Sequence, residues 1–445
     1  MTAATILGAM NSSPWPLAFA CLIAPPPLAT AQETLTPPSQ AAAEPLQPFT
    51  AAPPALTLMG CYALALKQSE TIAIQRERLA ETEGRFLQAL SGILPRASFA
   101  ASEKRQDGSG GSAFQLRQIP ERKFVVTQPL FAGFKEFAAM AGSQAERRQR
   151  KQQRVLAELL LLTDVADAFY VLRQQREDLG ALDISRAALM ERLEELTGRE
   201  RLGRSRTSEV VSAEAQLHQT ESEIAHIRGQ ETTARQLLEF LTGVSQIDAL
   251  SDPDPLPALL EEEAAYIAKA DRRPDVHIAE DALQIARQQA RIAQSRFYPT
   301  VSAESNYYTK RVGASAGVDW DALLKIDVPL FQGGQALGAA KEASAQVRIA
   351  KLSLAQVRRQ AELEIRETYR TLEAALARVH LLTRALAASE ETYRLEVEDY
   401  RVHLVNHLEV LQALQALQEA RRQLIRARSE AKQLSWHLRA AIGER

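Results

Sequence analysis

Apolar residues recur along most of this chain with the spacing of a single helical face. Leu182, Leu189, Leu193 and Leu196 step by seven, four and three, and Val410, Leu414, Leu417 and Leu424 step by four, three and seven. Such steps keep the side chains on one stripe and describe a coiled-coil-like seam. Proline is absent from Leu130 to Asp252 and again from Leu330 to Arg445, so nothing breaks a helix from within either stretch. The pattern is interrupted at "RERLGRSRTSE" (Arg199 to Glu209) and "YRVHLVNHLE" (Tyr400 to Glu409). Each stretch therefore predicts a helix of about 66 residues, roughly 100 Å long, followed by a return helix of about 35. A shorter helix of about 24 residues, from Thr71 or Pro274, enters each unit. End to end, a return helix and an entering helix nearly match the long one, which predicts parallel columns with a long helix beside a stacked pair.

A period of two governs other short runs. In "LKIDVPL", Leu324, Ile326, Val328 and Leu330 alternate with Lys325 and Asp327. In "TVSAESNYY", Val301, Ala303, Ser305 and Tyr307 alternate with Ser302, Glu304, Asn306 and Tyr308. These read as strands with one apolar and one polar face, expected near 96–105 and 123–131 in one half and near 299–309 and 322–331 in the other. Runs of about ten residues suit a bilayer if tilted, and they equally suit surface hairpins. Four strands cannot close a barrel, for which about eight is the practical minimum, so a spanning barrel would need several chains. No apolar run is long enough for a transmembrane helix; "VLAELLLL" (Val155 to Leu162) carries Glu158 and is too short.

The two halves repeat one another. "TQPLFAGF" (Thr127 to Phe134) faces "DVPLFQGG" (Asp327 to Gly334), an offset of 329 − 129 = 200 at the prolines. Pro95 faces Pro299, an offset of 204, and "SEVVSA" (Ser208 to Ala213) faces "LEVLQA" (Leu408 to Ala413), pairing Glu209 with Glu409. A unit of roughly 200 residues has been duplicated. The repeats are expected at 56–250 and 251–445, with tips near 199–209 and 400–409 and a side excursion at Ser251 to Arg273. Pro129 and Pro329 lack an N–H and are expected at the last residues of strands. Gly133, Gly333 and Gly334 permit the backbone angles that turn the chain from sheet into helix.

Ahead of the repeats, the apolar stretch Leu17 to Ala24 followed by Ala29-Thr30-Ala31 resembles a secretory signal, so 1–31 is expected to be a signal peptide despite the absence of Lys or Arg before Lys67. Residues 32–55 are rich in proline and read as an unpacked linker. "AFAC" before Cys21 and "LMGC" before Cys61 are weak lipidation signals, the first a poor match and the second far too late in the chain. With Cys21 in the targeting segment, Cys61 has no partner for an intrachain disulfide.

Composition adds mainly exclusions. The 445 residues carry a formal net charge of −2, which gives no argument for nucleic acid. About half of them are Ala, Leu, Glu, Arg and Gln, a helix-rich composition. His403 and His407 have the spacing of a metal pair, but "HLVNH" lacks the glutamate of H-E-x-x-H and a third ligand, so a polar turn is the better account and no metal is expected. The chain has no phosphate loop, no G-x-S-x-G and no nucleophile–base constellation; neither enzyme activity nor a cofactor is expected.

From Leu56 to Gly443 the chain resembles the TolC-like outer-membrane factors, the exit ducts of bacterial efflux pumps and type I secretion systems. The resemblance is carried by "LTLMGCYALALKQSETIAI" (Leu56 to Ile74), "RRPDVHIAEDAL" (Arg272 to Leu283), "QPLFAGF" and "VPLFQGG", in that duplicated order. It implies a mainly α fold with a small β part: a long coiled-coil tunnel in the periplasm, and four strands per chain contributing to a trimeric twelve-stranded transmembrane β-barrel in outer-membrane lipid. It further implies a homotrimer served by a periplasmic adaptor and an inner-membrane transporter. The two helix breaks become periplasmic tips, with Leu202, Gly203, Arg204 and Ser205 in one turn and Val402, His403 and Leu404 in the other contacting the adaptor. His403 stands where the family has glycine. Glu209 and Glu409 match acidic positions near the tunnel entrance, where symmetry would make rings of carboxylates. Tyr400 matches a position that latches the closed state, and Arg204 and Arg206 would pair with the acids or oppose their field. Export of small molecules is the leading expectation; the exit duct of a type I protein secretion system and a soluble coiled-coil scaffold are the alternatives.

Overall fold

The computed structural model describes residues 55–107, 116–257, 259–402 and 404–444; the expected signal segment, the linker up to residue 54 and His403 lie outside them. In chain order the elements are β1 (Leu56–Thr57), α1 (Leu58–Gln68), α2 (Glu70–Leu90), β2 (Arg96–Arg105), β3 (Gln118–Ala132), α3 (Lys135–Arg201), α4 (Thr207–Thr242), β4 (Leu250–Ser251), α5 (Glu263–Ile267), α6 (Pro274–Gln294), β5 (Thr300–Lys310), β6 (Trp320–Asp327), α7 (Gln335–Arg401) and α8 (His407–Ala441).

The two proline-free stretches form the long helices α3 and α7, each of 67 residues, with return helices of 36 and 35. Both entering helices, α2 and α6, have 21 residues. The first-helix opening is interrupted, however: Ser69 is extended and its hydroxyl accepts from the Ile72 N–H, so the chain stops α1 and starts α2 there. Side by side, α3 packs against α2 and α6 along its first part and against α4 and α8 further on. The main core lies where α1 meets α3 and α4, with Cys61, Leu162, Phe169 and Leu238 wholly buried. Burial pushes the Cys61 thiol up to about 11, which leaves it protonated and unreactive. β1 and β4 pair in parallel beside this core, so the expected side excursion is tied back to the start of the first repeat.

The other four strands form one antiparallel sheet in the order β2-β3-β5-β6. Residues opposite one another share a face, and register sorts them cleanly. Phe99, Phe124, Tyr307 and Trp320 are mutual partners in a row crossing all four strands, and the ring centroids of the first two lie 5.0 Å apart. Val126, Ala303, Leu324, Val301 and Ile326 continue this apolar face toward the helices. At the helix end Phe134, Phe137, Phe297 and Phe331 are exposed, so aromatic residues lie at both ends of the sheet. The opposite face carries Thr127, Lys123, Glu304, Asn306, Tyr308, Asp321 and Lys325, interrupted by Val125 and Leu323. There the Tyr308 hydroxyl donates to Asp321 at 2.8 Å, and the Asn306 amide donates to Asp321 at 2.9 Å.

The prolines do not end the strands as expected. β3 runs past Pro129 to Ala132, with the ladder slipping one residue between Pro129 and Phe131. A central strand can hold a proline only where the ladder is already broken, and the bulge supplies that break. β6, by contrast, stops at Asp327, before Pro329. The glycines do turn the chain: Gly133 (φ 63°) and Phe134 (φ 64°) precede α3 as Gly333 (φ 58°) and Gly334 (φ 85°) precede α7. Their surroundings differ. A Cβ at Gly133 would stand 2.8 Å from the Ser295 carbonyl oxygen, while nothing lies within 4 Å of one at Gly333. Gly333→Ala should therefore carry only the left-handed penalty, roughly 1 kcal/mol, and Gly133→Ala roughly twice that or more. Thermal melting of the two variants checks this; equal shifts would contradict it.

Candidate functional site

The sequence points to the two turns that join α3 to α4 and α7 to α8. α3 ends with a glycine in the left-handed region: Gly203 (φ 67°) donates to Glu200 O at 2.8 Å, and Arg204 N donates to Arg199 O at 2.8 Å. This closure satisfies the last carbonyls of a helix. The second turn closes with the equivalent outer bond, Leu404 N to Asp399 O at 2.9 Å. Leu202, Val402 and Leu404 are all largely exposed, a set of apolar side chains at the ends of the helices. Arg204 and Arg206 are exposed in the first turn, and Ser205 is half-buried there.

The two paired acids are used differently. The Ser205 hydroxyl donates to Glu209, and this bond, aided by the Arg206 backbone, holds the Glu209 carboxyl below the usual range. Glu409 instead closes a capping box: its carboxylate accepts from Asn406 N at 3.0 Å, and its own N–H donates to the Asn406 side chain at 3.2 Å. Both carboxylates sit in the first turn of a helix, where the dipole favours negative charge. Within this chain each is therefore engaged with its own turn.

Tyr400 is nearly buried, and its partners come from α3. Arg199 donates to the Tyr400 hydroxyl at 3.0 Å, and the Arg192 guanidinium lies 3.8 Å above the ring. Glu195 bridges both arginines at 2.6 Å. His407, the first residue of α8, is buried against the same group and accepts from Arg192 Nε at 3.2 Å. So α3, α7 and α8 are fastened together just above the turns by Arg192, Glu195, Arg199, Tyr400 and His407. Of these, sequence reasoning singled out Tyr400 and placed His407 in a polar turn rather than in a metal pair. Arg192, Glu195 and Arg199 were missed, though Arg192 and Arg199 are one heptad apart and so share a face. Among the described residues no group of three or more His, Cys, Asp or Glu is placed to hold a metal ion. No described helix is long and apolar enough to cross a membrane.

Comparison with known proteins gives this architecture relatives. Residues 268–444, most of the second repeat, match the Outer membrane efflux protein family model. The chain is 25% identical over 316 residues to the cation efflux system protein CusC of Escherichia coli (strain K12), covering 64% of each, and so spans just under two thirds of that relative's length. It is 22% identical over 430 residues to the outer membrane protein TolC of the same strain, covering 87% of this chain and 85% of TolC. In structure it is similar to the outer membrane protein VceC of Vibrio cholerae, with a TM-score of 0.75 and 22% identity over 87% of this chain and 96% of that one. Long paired helices, a four-stranded sheet and a matching second repeat agree with these relatives, and the chain has the fold of the TolC-like outer-membrane factors.

Proposed function

We propose that the protein is the outer-membrane duct of a tripartite efflux system and moves small solutes outward without chemical change. The observation that supports this best is the sheet, with its apolar face, the aromatic side chains at both of its ends, and a polar face of charged and hydrogen-bonding side chains. An apolar band flanked by aromatic girdles is what a lipid-facing barrel surface requires. One chain supplies four strands, too few to close, so three copies would make a barrel of twelve. The polar faces would then line the pathway, and the helices would continue it as a tunnel. A periplasmic adaptor would dock on Leu202, Val402 and Leu404 at the exposed turns, linking the duct to an inner-membrane transporter. The efflux function of CusC favours small solutes over secreted polypeptides.

Fractionation on a density gradient followed by detergent-corrected light scattering tests the architecture. A trimer from outer-membrane fractions is expected; a detergent-free monomer would overturn the reading. The fastening above the turns gives a second test. Tyr400→Phe removes the acceptor of Arg199, and Glu209→Ala frees Ser205. Each loses one hydrogen bond to a charged group, about 1.5–3 kcal/mol. Both should raise leak through the closed pore in planar bilayers, and unchanged conductance in both would remove these residues from the gate.

A further inference from the structure

One member of the tip cluster is chemically unlike the rest. His407 is 2% exposed and packs at 63° to the Tyr400 ring, centroids 6.3 Å apart. Its Nδ1 accepts the Arg192 N–H, so the neutral ring carries its proton on Nε2, and that atom is buried without a hydrogen-bond partner. A second proton would have to go on Nδ1, which would then cease to accept and would face a guanidinium directly. The residue also opens α8, where the helix dipole disfavours positive charge.

We propose that His407 is a pH-sensitive positioning residue of the tip: neutral, it seats the start of α8 against α3 and α7, and protonation on acidification expels it and loosens the turns. The surrounding charges do not offset this. From α3 come Arg192, Arg199 and Glu195, the last already held by both arginines. α7 contributes Tyr400, and α4 contributes Glu209, which is engaged by Ser205. Burial, reinforced by Arg192 and only partly opposed by Glu209 and Glu195, brings the imidazole down from 6.5 to about 4. The sign follows from linkage. The folded pKa is depressed, so the released tip binds more protons than the seated one between 6.5 and about 4. Seating is then fully favoured above pH 6.5 and weakens as pH falls through this window, by up to about tenfold per unit. That loosening would also open the pathway rests on the duct reading above.

The test uses the full protein in detergent. Hydrogen exchange, corrected for intrinsic pH dependence, is followed by mass spectrometry at residues bordering both turns, at pH 7 and pH 4.5. The wild type should exchange about tenfold faster or more at the lower pH, and His407→Phe should not respond. A flat wild type, or an equal rise in both proteins, overturns the proposal. Nitrogen-15 spectra of the histidine-labelled wild type need no variant: His407 should still be neutral at pH 5.5, and titration near 6.5 also overturns it. Bilayer currents separate the two readings. Acid-enhanced exchange without increased current keeps the switch and counts against the duct.

Discussion

Leu324→Arg is expected to keep the chain out of the outer membrane, whereas Lys325→Gln, one residue along the same strand, should be tolerated. Leu324 lies on the apolar face, 61% exposed in a single chain, with Ala303 opposite it; Lys325 points to the other face, opposite Ser302. An arginine on the lipid side of a barrel costs roughly 2–4 kcal/mol near the bilayer midplane. In a symmetric trimer that cost recurs in every protomer. The measurement is the fraction of each variant recovered as trimer from outer-membrane fractions. Loss with Leu324→Arg and recovery with Lys325→Gln is expected. Equal recovery would mean that the apolar face meets no lipid, and the sheet would then be a surface feature.

The second large effect is expected far from the turns. Arg273 is only 7% exposed, and its guanidinium donates to Ala441 O at 2.7 Å, to Asp275 at 2.8 Å and to Glu364 at 2.7 Å. It thereby joins the end of α8, the start of α6 and the side of α7. Arg273→Ala would strip two carboxylates of their shared partner and leave a helix-terminal carbonyl without its donor. Breaking a buried pair costs about 3–5 kcal/mol; because Glu364 is half exposed, the lower end applies, about 3 kcal/mol. Arg273→Lys should recover little of this, since a single ammonium cannot reproduce the planar fork. Thermal melting, with exchange measured at the end of α8, checks both. A shift in the alanine variant too small to measure would show that the contacts are dispensable.

The helical frame was legible because its signals are local. Missing prolines and seven-residue steps fix where α3 and α7 begin and end, and the strand faces follow from a period of two. What stayed hidden depends on how distant segments meet. Arg192 and His407 are 215 residues apart, and no pattern along either helix states that they touch. "HLVNH" therefore read as a polar turn, although His407 is buried and the residue that binds it lies on another helix. Pro129 was placed at a strand end because an isolated strand cannot use it; only its β5 neighbour reveals the bulge that accommodates it. The Glu409 cap, by contrast, was within reach, since Asn406-x-x-Glu409 is a capping-box sequence.

The equal lengths of α3 and α7 make the two hairpins a matched gauge. Removing seven residues from α3 and seven from α4 would shorten one hairpin by roughly 10 Å and leave its turn a step above the other. Arg192, Glu195 and Arg199 would slide away from Tyr400 and His407, so one coherent deletion would cost every bond that ties α3 to α7 and α8 in the fastening. Taking the same heptad from α7 and α8 as well would restore the level and the bonds. Changes in reach are thus permitted to this architecture only in fourfold, concerted steps, with both halves lengthened or trimmed together.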